Sequence, residues 1–178
     1  MRTRFLWLGI LVMFIAQSGK VAAQEKVVTP GKYYAMSVYN FSRHVKWPGN
    51  YDNHTFKIAV VGHRQMYNEL SQLTRNLKHG QKNFVITYYK NYSEVDEFHQ
   101  IVFLSNSNST KIQKIKNRIN NPHMMFVTER EGMGSYGSAI SFFISKTGRI
   151  EFELMAENMR SQNLAYSAQL KTLSKKRT

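Results

Sequence analysis

A glycine-rich stretch at residues 132–137 has the spacing G-x-G-x-x-G with which dinucleotide-binding proteins hold a pyrophosphate. That chemistry needs a helix to begin directly after the glycines, because the first N–H groups of the helix and its dipole bind the phosphates. Residues 139–144 are instead an apolar run that is typical of a strand. We therefore predict a loop between two strands here, and no nucleotide site.

Metal and hydrolase chemistry have no matching pattern in the sequence. The six histidines form neither H-x-H nor H-E-x-x-H, and the chain has no cysteine that could complete a zinc site. No G-x-S-x-G nucleophile motif occurs, and acidic residues such as Glu151 and Glu153 alternate on the solvent side of a predicted strand. We therefore predict a protein that is not an enzyme, with no catalytic residues, no metal and no cofactor. The alternative is an exported hydrolase, whose acid, base and nucleophile would come together from distant positions of the chain.

A ligand site can instead be predicted from the places where parallel strands end. In open α/β sheets, ligands bind beyond the carboxyl ends of the strands. The residues that follow the predicted strands supply hydrogen-bond donors and positive charge: His63, Arg64, Ser105, Asn106, Thr128 and Arg130. We predict that they bind a small anionic or zwitterionic ligand, and the alternative is that they are ordinary solvated loop residues.

The apolar pattern predicts the elements that position these residues. Apolar runs and alternation predict strands at residues 56–62, 84–88, 101–104 and 124–127. Helical spacing of apolar residues predicts helices at residues 31–47, 67–77 and 112–119, the first of which ends at Pro48. Strands that alternate with helices indicate an α/β fold with a layered, mostly parallel, Rossmann-like sheet.

The last part of the chain departs from this alternation. Residues 140–145 and 149–154 read as two strands joined by a tight turn, which predicts a C-terminal β-hairpin. Helices follow with a break near Asn163, because asparagine tolerates the left-handed conformation found at helix ends. The whole pattern fits a single domain.

The first residues have the composition of a cleavable signal peptide. Arg2 and Arg4 precede an apolar run at residues 5–16, which is shorter than the about 20 residues that a membrane-spanning helix needs. Small side chains lead up to Ala23 and predict cleavage after it, and the alternative is an uncleaved anchor. We expect a secreted protein with a signal peptide at 1–23, a short linker at 24–30, one domain at 31–174 and a basic tail at 175–178.

The chain is strongly basic, with 25 Lys and Arg against 11 Asp and Glu and a formal net charge of +14. In an exported protein, such a charge points to anionic lipid headgroups, cell-wall polymers or an acidic partner, and we predict that nucleic acid is not a partner. The alternative is a solvated basic surface that only keeps the protein soluble.

Two stretches of the chain read as family motifs. Residues 39–48 have the sequence YNFSRHVKWP, and the chain closes with Phe152-Glu153-Leu154 followed by Asn163, Leu164, Ser167 and Leu170. Together with the apolar strands at residues 58–62 and 100–104, these stretches resemble the YfiR-like family of periplasmic proteins. The resemblance covers about residues 31–174 and implies a YfiR-like α/β domain there.

The chain also departs from the pattern of that family. Asn163 stands where the relatives usually have glycine, and Lys46 stands where many of them have an acidic residue. Because the chain contains no cysteine, it cannot use the thiol chemistry by which some members tune their activity.

The resemblance implies a non-catalytic regulatory or binding module of the bacterial periplasm. Such a module modulates an inner-membrane signalling protein, a diguanylate cyclase or a kinase, by acting on its periplasmic part. Arg43, Lys46 and Trp47 of the opening motif are the candidate partner-binding residues, and the alternative for Trp47 is packing in the core. The aromatic-rich helices also suggest a homodimer.

A second hypothesis, from another class of proteins, is a small stand-alone solute-binding protein for an anionic ligand. A single domain argues against the two-lobed clamp of such proteins, which needs about two domains' length of chain. Binding of small anions without any protein partner would favour it.

Overall fold

The computed structural model describes residues 28–49 and 54–175. The predicted signal peptide, its cleavage site and most of the predicted linker and basic tail therefore lie outside the described residues. Within these two ranges, no helix combines the length and the apolar character needed to cross a bilayer.

The elements of the described ranges alternate along the chain. The helices are α1 (Pro30–His44), α2 (Arg64–Thr74), α3 (Ile112–Ile119), α4 (Ala156–Ser161) and α5 (Ala168–Leu173). The strands are β1 (Val45–Lys46), β2 (Thr55–Val61), β3 (Lys78–His79), β4 (Lys82–Tyr89), β5 (Ile101–Leu104), β6 (Met125–Thr128), β7 (Ile140–Ile144), β8 (Ile150–Leu154) and β9 (Ala165–Tyr166). Short 3-10 turns occur at Tyr92–Glu94, Asn106–Lys111 and Met133–Tyr136. The predicted mixed α/β class is confirmed.

The main sheet is mostly parallel and has the strand order β3-β4-β2-β5-β6-β7-β8. Strands β4, β2, β5, β6 and β7 run in parallel, whereas β3 and β8 pair antiparallel at the two edges. β4 and β5 lie on opposite sides of β2, so the chain changes direction across the sheet between β2 and β5. Such a switch point opens a crevice at the carboxyl ends of the strands.

Both faces of the sheet are buried, which explains the continuous apolar runs in the sequence. In β2, Ile58 and Val60 pack in one core cluster together with side chains of α1. Ala59 and Val61 point to the opposite face and pack in a second cluster together with side chains of α3. The side chains therefore alternate between two cores along one strand.

Helix α1 ends earlier than the sequence predicts. It stops at His44 instead of Trp47, because Val45 and Lys46 leave the helix and pair antiparallel with Tyr166 and Ala165 in a separate two-stranded sheet. Partners more than a hundred residues away thus override a local helical pattern. The predicted break at Asn163 is confirmed, since this residue has φ +54°.

The glycine-rich stretch connects β6 to β7, as predicted. Met133–Tyr136 form one 3-10 turn, and no α-helix begins after it because β7 follows directly. Gly132 and Gly137 flank the turn with φ values of +71° and +95°, a conformation that glycine adopts without strain.

Candidate functional site

A cleft of about 660 Å³ lies at the carboxyl ends of the parallel strands, as expected from the topology. We call it the carboxyl-end cleft, and its lining residues are Tyr34, Asn106, Glu129, Arg130, Glu131, Phe142, Phe143 and Ile144. Two of the six predicted ligand-binding residues, Asn106 and Arg130, line it. His63 lies next to it, since its Nε2 is 3.8 Å from the Oε1 of Glu129.

The other three predicted ligand-binding residues have structural contacts instead. The Arg64 guanidinium lies 3.5 Å from the centre of the Tyr88 ring, a close cation–π contact. The Ser105 side chain is buried and accepts a hydrogen bond from the Asn108 amide at 3.0 Å. These contacts hold the loops after β2 and β5 in place.

Thr128 is fully buried beneath the cleft and does not reach its surface. Its hydroxyl donates to the Arg130 carbonyl at 3.1 Å and lies 2.9 Å from the Ser141 hydroxyl. Thr128 therefore joins β6 to β7 and supports the chain that carries Arg130.

Glu129 is the acidic group at the centre of the cleft, and reasoning from the sequence missed it. Its Oε2 accepts the Asn106 backbone N–H at 2.8 Å. His63 caps α2, because its Nδ1 accepts the Met66 N–H at 3.3 Å, so Nε2 carries the proton of the neutral ring and faces Glu129. The Asn106 N–H therefore holds the carboxylate, while His63 Nε2 stays beyond hydrogen-bond distance. The rule that predicted donors at the strand ends does not include a carboxylate, although Glu129 stands between Thr128 and Arg130.

Tyr34 of α1 forms the buried wall of the cleft, and the helical pattern alone had suggested only a core residue. Its ring lies 4.8 Å from Phe142 and 5.8 Å from His63, measured between ring centres. Burial, reinforced by the charge of Glu129, raises the pKa of Tyr34 to about 12, so the phenol is protonated at neutral pH. Its hydroxyl has no hydrogen-bond partner among the described residues.

The charges of the cleft do not favour the predicted anionic ligand. Glu129 and Glu131 both line it, against the single guanidinium of Arg130. This acidic balance is unusual in a chain with a formal net charge of +14. In the described ranges, no group of three His, Asp or Glu side chains could hold a metal ion.

A second candidate surface is a groove of about 690 Å³ between the start of α1, the edge strand β8 and the end of α5. We call it the α1–β8–α5 groove, and its apolar lining residues are Val28, Pro30, Tyr33, Ile144, Ile150, Phe152 and Leu173. Val28 is 53% exposed, Ile144 71% and Leu173 53%. Exposed apolar side chains that gather in one groove typically mark an interaction site.

The predicted partner-binding residues divide into two kinds. Arg43 and Lys46 are exposed at the end of α1 and in β1. Trp47 is only half exposed: its indole N–H donates to the Gln100 carbonyl at 3.2 Å, and its ring packs edge-on against Phe56 at 5.0 Å. Trp47 therefore fastens the chain after α1 to the core.

Comparisons with known proteins agree with this fold. A family model described as YfiR/HmsC-like matches residues 32–175, which confirms the resemblance. The crystal structure of a conserved domain protein from Vibrio cholerae O1 biovar El Tor strain N16961 has a TM-score of 0.53 and 8% sequence identity, and the match covers 84% of this chain. The chain spans 60% of the length of that protein. No curated protein matches the chain.

Proposed function

Because the chain belongs to the YfiR/HmsC-like family, we propose that it is a periplasmic regulator that restrains an inner-membrane signalling protein. The partner is a diguanylate cyclase or a sensor kinase, and the contact is made with its periplasmic part. In this function the domain binds and carries out no chemistry. Export and cleavage after Ala23 deliver it to the partner.

The observation that carries this proposal is the exposed apolar lining of the α1–β8–α5 groove. Val28, Ile144 and Leu173 are each more than half exposed, so a partner that covers them removes apolar surface from water. The groove runs beside β8, which is an edge strand of the sheet. The amide of Lys175 already pairs with the Phe152 carbonyl of this strand at 2.9 Å.

Charges around the groove indicate the chemistry of the partner. Arg149, Lys175 and Glu151 line it, which leaves an excess of positive charge beside the apolar wall. A cavity of about 370 Å³ on the other side of Tyr33 extends the surface to His44, next to Arg43 in α1. We expect the partner to present an apolar anchor flanked by acidic residues, which steer its approach.

Capture from membranes of the source organism tests this proposal. The mature protein, with cross-linker, is mixed with detergent-solubilised inner membranes, and the retained proteins are identified by mass spectrometry. We expect a diguanylate cyclase or sensor kinase to be enriched by the wild type and lost with Ile144→Asp. Val85→Asp, at an exposed apolar residue on β4 away from the groove, is the matched control and should retain it. Equal capture by all three proteins, or capture of no signalling protein, would contradict the proposal.

Two further predictions belong to the same proposal. Mass spectrometry of the protein isolated from the periplasm should show a chain that begins at Gln24. Sedimentation of the mature protein should reveal the homodimer that the aromatic-rich helices suggest, and a monomer at all concentrations would rule out that prediction.

A further inference from the structure

The Tyr34 hydroxyl makes no hydrogen bond to another described residue, and Tyr34 lines the carboxyl-end cleft. Tyr34 is 7% exposed, and its ring belongs to an aromatic cluster with Phe103 and Phe142. A phenylalanine would fill the same space without placing a polar group there. The hydroxyl is not one of the buried unpaired atoms of the described residues, so it reaches the water of the cleft, where a ligand can exchange a hydrogen bond with it.

Glu129 supplies the second polar group at this place. The Asn106 N–H binds one oxygen of the carboxylate, and its two oxygens can accept further hydrogen bonds. Its side chain is 25% exposed, so a ligand in the cleft can reach it. An oriented, partly desolvated carboxylate binds a cation more strongly than a freely rotating surface one.

The remaining wall of the cleft is apolar. Phe142 lies behind this wall without exposed surface, so the side chains that a ligand can contact are Phe143 and the largely exposed Ile144. The volume of about 660 Å³ lies in the range of small-molecule sites.

We propose that the carboxyl-end cleft binds a small organic ammonium ion with an apolar body. The ammonium group donates hydrogen bonds to the Glu129 carboxylate and the Tyr34 hydroxyl, and the apolar body lies against Phe143 and Ile144. This site borders the α1–β8–α5 groove at Ile144, which lines both, but binding of the ammonium ion does not depend on the proposed function.

Three probes of the same shape and different charge test the site: phenethylamine, phenethyl alcohol and phenylacetate. Each is titrated into the ¹⁵N-labelled mature protein to about 10 mM, because ligands of this size bind weakly. We expect phenethylamine to shift the amide signals of Asn106, Glu129 and Arg130 in a saturable way. Phenylacetate should bind at least tenfold more weakly, with the alcohol in between.

Two variants connect the binding to the proposed groups. Glu129→Gln keeps an oxygen that can accept the Asn106 N–H but removes the charge, and we expect an affinity for phenethylamine at least tenfold lower. Tyr34→Phe should lower the affinity about threefold to tenfold while the thermal stability stays the same or rises, because the lost hydroxyl has no partner in the free protein. Glu157→Gln, an equal charge change on the exposed face of α4, is the control and should bind like the wild type.

Several results would overturn the proposal. The proposal is wrong if phenylacetate shifts the same amides with equal or higher affinity, or if phenethylamine causes no saturable shift at the cleft. The proposal also fails if Glu129→Gln binds phenethylamine as Glu157→Gln does.

Discussion

His44 and Ser167 are joined by two contacts although 123 residues separate them in sequence. The Ser167 amide donates to the His44 carbonyl at 2.9 Å, and the Ser167 hydroxyl lies 3.0 Å from His44 Nδ1. One residue belongs to the opening motif of the family and the other to its closing motif. The two motifs therefore form one structural unit, which fastens α5 to the end of α1 beside the α1–β8–α5 groove.

The first prediction concerns the contacts between His44 and Ser167. Ser167 also caps α5, because its hydroxyl accepts the Leu170 N–H at 3.2 Å. Replacing it by alanine removes both the cap and the contact with His44, so Ser167→Ala should lower the free energy of unfolding by about 1–2 kcal/mol. Denaturant unfolding measures the change. Ser161→Ala, at an exposed hydroxyl at the end of α4, should stay within about 0.5 kcal/mol of the wild type; equal losses for the two variants would show that Ser167 has no special role.

The second prediction concerns Gly62, which connects β2 to the loop that carries His63. Gly62 has φ +75°, and a Cβ at this position would overlap the Ser105 hydroxyl and lie 2.6 Å from Asn108 Nδ2. Gly62→Ala should therefore lower the free energy of unfolding by about 2–4 kcal/mol.

A second glycine separates backbone strain from the close approach. Gly80 has a similar φ of +62°, but a Cβ there would meet nothing within 4 Å. Gly80→Ala should cost only about 1 kcal/mol, because only the strained conformation remains. If denaturant unfolding gives the same loss for both glycines, the close packing of the loops after β2 and β5 does not matter for stability.

The third prediction separates the three candidate partner-binding residues. Trp47→Phe loses the hydrogen bond to Gln100 and part of the packing on Phe56, so the free energy of unfolding should fall by about 1–3 kcal/mol. Lys46→Gln and Arg43→Gln should change it by no more than about 0.5 kcal/mol, since both side chains are exposed. In a binding assay with the captured partner, the two charge variants should weaken association at low salt more than at high salt. No salt dependence would exclude Arg43 and Lys46 from the contact.

Most strands could be predicted from sequence because their burial repeats at short range. Ile58–Val61 and Ile101–Leu104 are apolar at every position, and both faces of these strands are covered. Their alternation with helices was enough to predict a mostly parallel sheet. The end of α1 could not be predicted, because Val45 leaves the helix to pair with Tyr166, and no local pattern encodes that pairing.

The candidate site was only partly predictable for a related reason. The rule that ligands bind at the carboxyl ends of strands located the cleft correctly, since it depends only on topology. The rule does not distinguish side chains that face the cleft from those that form hydrogen bonds within the fold. Thr128 and Ser105 are of the second kind. The rule also could not predict Tyr34 at the cleft, because Tyr34 belongs to α1 and not to a strand end.

The fourth prediction concerns stability at acidic pH. His99 is fully buried; its Nδ1 donates to the Glu97 carbonyl at 3.0 Å, and its Nε2 has no hydrogen-bond partner. Burial lowers the pKa of His99, and this effect is larger than the opposite effect of the nearby Glu97 carboxylate. The ring is therefore neutral, and the 3.9 Å distance between His99 Nε2 and Glu97 Oε1 is not an ion pair. The unfolded chain takes up a proton near pH 6.5, whereas the folded chain does so only at lower pH.

The contribution of neutral His99 to the free energy of unfolding should therefore be fully present above about pH 6.5. Below that value the free energy of unfolding should decrease as the pH falls, by at most about 1.4 kcal/mol per pH unit for this one group. His79 is half-buried, and since this partial burial also lowers its pKa, it adds to the decrease. In His99→Gln and His99→Leu, the free energy of unfolding should fall less steeply between about pH 6.5 and pH 5 than in the wild type. If denaturant unfolding shows that the free energy of unfolding of both variants falls with pH as steeply as that of the wild type, His99 does not cause the acid sensitivity.

The most direct test of the proposed regulatory function is the affinity between the mature protein and the periplasmic part of the captured sensor, measured by isothermal titration calorimetry. The wild type, Ile144→Asp and the control Val85→Asp are compared at the same salt concentration. We expect the wild type and Val85→Asp to bind with the same Kd, and Ile144→Asp to bind at least about tenfold more weakly. The reason is that the carboxylate of the new aspartate would lose its hydration in a contact that is apolar in the wild type. The same Kd for all three proteins, or no binding by the wild type, would contradict a regulator that docks through the α1–β8–α5 groove.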